Sequence, residues 1–144
     1  MISIHEQIQV RMLAILLGAT DAGVNVSRSP ETFLTRGTLL AIGIFPGPEK
    51  DSAFADAADE HELTINIDVF ARGDPWGSAA DVVVTQAHRL LLADAPLKSL
   101  LTRIRRVSRT PSDEEPDKTA GVVQLEYQIR YLTRLSDISD NTIL

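Results

Sequence analysis

Three histidines, His5, His61 and His88, are the residues of this chain best suited to proton transfer or metal ligation. None has a second histidine or a carboxylate at the spacing of a known metal signature such as H-E-x-x-H. Asp81 and His88 fall on roughly one side of a helix, two turns apart, and read as a solvated helix face. His61-Glu62 reads as an exposed strand end rather than an acid-base pair. Asp51, Asp56, Asp59, Glu60 and Glu62 would gather around a cation only if their segment folded back on itself, so a solvating acidic loop is expected there. No G-x-S-x-G elbow, P-loop or G-x-G-x-x-G turn is present. The expectation is therefore no catalytic residue, no cofactor, no metal and no enzyme.

The remaining charged cluster is basic. Arg103, Arg105, Arg106 and Arg109 stand together in a chain whose 20 acidic residues outnumber its 14 Lys and Arg. No aromatic residues interleave with them, as they would on a base-stacking surface, and the acids Asp113, Glu114 and Glu115 follow closely. This pattern suits a polar strand face or a seam against the acidic surface of a neighbouring subunit better than contact with DNA phosphate. Arg103, Arg105, Arg106, Asp113, Glu114 and Glu115 are accordingly the candidate subunit-interface residues.

These side chains must be held by a small number of elements. At 144 residues with a formal charge of −6, the chain has the size of one domain and lacks the basic surplus that sequence-independent nucleic-acid binding requires. Zero cysteines exclude a disulfide framework and thiolate ligation. The apolar stretch 12–17 is too short for a membrane span of ~20 residues, and no signal peptide or membrane anchor is expected. Two runs alternate strictly between apolar and polar residues. Val123, Leu125, Tyr127, Ile129 and Tyr131 oppose Gln124, Glu126, Gln128 and Arg130, while Leu63, Ile65, Ile67 and Val69 oppose Thr64, Asn66 and Asp68. A side-chain period of two makes both runs strands with one face on a core and the other toward water or a partner.

Ser3 followed by Glu6 is a capping-box signature, and the spacing of Ile4, Ile8, Met12, Ile15 and Leu16 predicts a first helix from about Ser3 to about Ala19. A short strand over 24–28 and a nearly continuous apolar strand over 38–45 follow, and 46–60 reads as a long acidic loop. Asp74-Pro75 offers an N-cap and a proline at the first position of a second helix, which Asp94-Ala95-Pro96 closes. Trp76 at its start reads as a lid on the core. One more helical turn over 97–101, a strand over 102–109 and a mobile loop over 110–120 lead to the last strand. A single domain over 1–134, with a frayed tail over 135–144, is expected. Its class is α+β: a mostly antiparallel sheet with helices packed on one face and the polar face free.

The order and spacing of these segments resemble the phage tail-terminator proteins, the minor tail protein U-like family. The likeness lies in the N-terminal helix, the apolar strand Leu39 to Phe45 with the acidic segment after it, and the strand Leu63 to Phe70. It continues through the helix with its Asp94-Ala95-Pro96-Leu97 exit and the acidic hairpin to the closing strand Val123 to Tyr131. The resemblance implies a structural virion protein assembled in the host cytoplasm, from a phage or prophage. It implies a ring, typically a hexamer, on the head-proximal end of the tail tube, which stops tube polymerisation and offers a joint to the head. Its partners would be itself, the tail tube protein and the head-tail connector protein, with DNA passing through the lumen without specific binding. The alternatives are a head-completion or connector protein of the neck, a small α+β enzyme with an inter-subunit site at His88 or His61, and a module of a non-viral secretion machine built on a similar tube.

Overall fold

The computed structural model describes residues 1–30, 38–113 and 119–142. Helix α1 spans Ile4–Leu16, followed by strands β1 (Val26–Arg28), β2 (Leu40–Ala55) and β3 (Ala58–Arg72). Helices α2 (Trp76–Ala93) and α3 (Ala95–Lys98) come next, and strands β4 (Arg103–Asp113) and β5 (Ala120–Arg134) close the order. The strands form one sheet in the order β1-β2-β3-β5-β4, antiparallel except for the β1–β2 pair. The fold is α+β, as the alternating strands require.

The two alternating runs are central neighbours. Ile65, Ile67 and Val69 of β3 stand opposite Tyr127, Leu125 and Val123 of β5, and all six are buried. Ile8, Met12 and Leu16 of α1 and Val83, Val84, Ala87 and Leu91 of α2 close the same core from above, so both helices lie on one face. Burial of each such side chain is worth roughly 1.5–3 kcal/mol, which is why period-two strands and period-3.6 helices converge on one layer. The opposite face is polar along most of its length but not throughout. At one end Ala41, Phe70, Ala120 and Val122 make a second, small buried cluster on it.

Helix ends follow local chemistry with two adjustments. Ser3 Oγ accepts from the Glu6 amide at 3.1 Å, but the Glu6 carboxylate, instead of reaching back to close the box, takes a bidentate pair of 2.7 Å bonds from Arg28 of β1. α1 ends at Leu16 rather than Ala19, because the chain turns at Gly18, whose φ is 75°. At α2, Pro75 is itself the extended cap residue, so the helix starts one residue later than expected and Asp74 supplies no capping bond. Asp94, read as part of a stop signal, caps α3 by accepting from the Leu97 amide and also holds Arg11 of α1 through two bonds.

The acidic segment 46–60 is not a loop. β2 continues to Ala55, turns at Asp56 and Ala57, and returns as β3, forming an arm whose inner strand also pairs with β5 from Arg130 to Arg134. Cross-strand pairing on both sides of β3 supplies what weak local periodicity did not advertise. β4 likewise runs on to Asp113, through Pro111, whose missing N–H is tolerated on a sheet edge. The segment after Leu135 is docked as far as it is described: Ile138 accepts from the Ile4 amide at 2.9 Å, and Arg134 pairs with Asp140.

Candidate functional site

The strand β4 and the outer part of β2 carry opposite charge. β4 is a terminal strand, exposed along nearly its whole length, and no described strand pairs with its outer edge. Four arginines lie on it. A register shift between Arg106 and Ser108 inserts one residue against β5, and its consequence is to change which side chains share a face. Arg103 and Arg105 stand opposite Arg130 and Gln128 on the polar face, whereas Arg106 and Arg109 stand opposite Tyr127 and Leu125 on the helix face. The six expected interface residues therefore do not make one patch. Arg103 and Arg105 are together, Arg106 points to the other side, and Asp113, at the far end of the strand, accepts from Trp76 Nε1 at 3.2 Å. Glu114 and Glu115 lie outside the described residues.

At the other side of the sheet β1 pairs only with Ile42–Ile44, so the outer edge of β2 from Phe45 to Ala55 has no strand partner among the described residues. This is the arm. Residues 49–62 carry Glu49, Asp51, Asp56, Asp59, Glu60 and Glu62 against Lys50, and Phe54 near the tip is 54% exposed.

Arg106 and Arg109 line, with Thr85, His88 and Arg89, a cleft of about 360 Å³ between β4 and α2. Asp81 does not face His88. It pairs with Arg109 at 3.0 Å, while His88 Nδ1 lies 2.9 Å from Tyr127 Oη. Burial pushes the Tyr127 phenol up to about 12, so it keeps its proton in this contact. Burial first, and then the positive charge of Arg106, hold the His88 pKa below its ordinary value.

His61 is the residue that sequence reasoning placed wrongly. It is 5% exposed, not a solvated strand end. Its Nδ1 lies 2.5 Å from Asp51 Oδ1, directly across the β2–β3 ladder, and its Nε2 lies 2.7 Å from Thr133 Oγ1. The ring stacks on Tyr131 with centroids 4.6 Å apart, and Tyr131 Oη donates to Glu49. An irregularity between Pro46 and Glu49 sets this up. It adds one residue to β2, and so brings Glu49 and Asp51, rather than Lys50, to the face of Leu63 and His61.

No known protein family matches the sequence, and no curated protein matches it. Among solved structures, a chain from the virion of a native gene transfer agent particle is similar over 89% of this chain and 90% of its own, at 11% identity and a TM-score of 0.45. That likeness is too distant to carry a family or a role across to this chain.

Proposed function

We propose that this chain is a structural virion protein that assembles head to tail into a closed ring, the hexamer of a tail terminator, on the head-proximal end of a phage tail tube. There it stops tube growth and provides the joint to the head. One observation supports this reading most directly: the outer edges of β4 and of β2 beyond Phe45, neither paired with a strand among the described residues, lie on opposite sides of the sheet and bear opposite charge, arginine on β4 and carboxylate on the β2–β3 arm. A surface complementary to a different surface of the same molecule makes heterologous contacts, and these close into rings when the rotation per subunit permits. Covering both edges in a ring also removes the open strand templates that would otherwise invite uncontrolled pairing. The order of segments, which resembles that of the tail terminators, supplies the choice of tube end over other ring proteins.

The test is solution mass by light scattering across a concentration series, with negative-stain images, alone and with purified tail tubes. Rings that bind tube ends and limit tube length are the expected result. Rings that ignore tubes and bind the portal side would make the protein a neck connector. A compact dimer with a shared cleft, with or without tubes, would overturn the ring.

A further inference from the structure

We infer that Glu49, Asp51 and His61 form a binding site for one first-row divalent cation, Zn²⁺ or Mn²⁺, at the root of the β2–β3 arm. One ligand atom from each residue lies within 4.8 Å of the others. The imidazole is nineteen-twentieths buried, and its far nitrogen is engaged by Thr133 Oγ1, itself fully buried. That is how a metal-binding histidine is usually held: a partner outside the ligand set fixes the ring and its tautomer. With Nε2 engaged by Thr133, Nδ1 is turned to the carboxylate side, 2.5 Å from Asp51 Oδ1, where a cation can take the place of the shared proton.

The surroundings favour a metal ion. The three side chains open into a cleft of about 360 Å³ between the sheet and the start of α1, lined also by Ser3, His5 and Tyr131, with no Lys or Arg among the described residues of its wall. Two convergent carboxylates without a cation repel one another, and a divalent ion removes that cost. The Tyr131 hydroxyl donates to one oxygen of Glu49 and leaves the remaining carboxylate lone pairs for an ion. One nitrogen with two carboxylate oxygens, open on one side to water, suits Zn²⁺ or Mn²⁺ and disfavours Mg²⁺, which prefers all-oxygen shells. The ion would join β2 to β3 where the arm leaves the sheet and so fix the arm's direction. The site does not depend on ring formation.

Calorimetric titration of the full chain with Zn²⁺ tests it, because Asp51 and Glu49 are exposed and their amide variants leave the core untouched. The expected result is one saturable ion per chain, unaffected by millimolar Mg²⁺ and accompanied by a higher melting temperature. Asp51→Asn and Glu49→Gln should each weaken uptake at least about tenfold, the loss found even for outer partners of metal ligands, with unchanged circular dichroism. No saturable uptake by the natural chain, equal uptake by Asp51→Asn, or displacement by Mg²⁺ would each overturn the assignment.

Discussion

Gly121 of β5 lies directly beneath the indole of Trp76: a Cβ on this glycine would overlap ring carbons Cζ2 and Cε2. The absence of a side chain on the last strand thus lets the first residue of α2 lie flat on the sheet. From there its Nε1–H reaches Asp113 on β4. Three elements meet at this point, and one of them is the edge strand of the proposed interface.

Gly121→Ala should therefore lift the indole off the sheet and break its bond to Asp113. Overpacking of this kind costs about 1–3 kcal/mol. Trp76 is the single tryptophan of the chain, so the change is readable as a shift in intrinsic fluorescence together with a lower denaturation midpoint. An unchanged emission maximum would mean that the ring has room to slide.

Leu125 is fully buried between β3 and the helices, and Leu125→Ala should cost roughly 2–5 kcal/mol in urea denaturation. Its neighbour Glu126 faces the other way, and Glu126→Ala should stay within about 0.5 kcal/mol. Similar losses at both positions would contradict the facing of β5.

The split of the arginines by the β4 bulge makes a directional prediction for assembly. Arg103→Glu with Arg105→Glu places carboxylates on the exposed edge and polar face, away from the core. The double variant should fold with unchanged circular dichroism yet fail to form the species of high mass. Added salt should weaken assembly of the natural chain as well, since exposed charges are screened beyond about 8 Å at physiological ionic strength. Light scattering that shows full assembly of the double variant would remove the arginine edge from the interface.

His88 should make stability depend on pH. Its pKa is depressed in the folded chain by burial and by Arg106, so below about pH 6.5 the unfolded chain takes up a proton that the folded chain refuses. Stability is complete above that value and falls as pH drops toward the folded pKa. Urea midpoints at about pH 7.5 and about pH 5.5 should differ more for the natural chain than for His88→Gln. Equal differences would show that the imidazole titrates as freely folded as unfolded.

Wherever a pattern was local, the sequence was legible. The alternation of β3 and β5, the Ser3 cap and the periodic face of α2 each depend on residues within a few positions of one another, and each places its side chains as the period demands. The α+β class followed from the same patterns. The candidate interface was legible only in part. The arginines were recognised as a cluster, but one inserted residue near Val107 divides them between two faces, and no propensity marks such an insertion.

By itself, then, the sequence determined which stretches pair and which of their faces are apolar, because hydrophobic period and side-chain alternation are properties of consecutive residues. Only the tertiary structure decided the fate of residues whose partners are remote in the chain. The arm is strand because β5 pairs with its inner half, and His61 is buried because Asp51, Tyr131 and Thr133 surround it from two other strands. The segment over 135–142 is docked because Ile4 of α1 and Ser99, the residue that closes α3, offer it hydrogen bonds. A polar residue's burial depends on what lies across the fold from it, and that information is distributed over the whole chain rather than written at its own position.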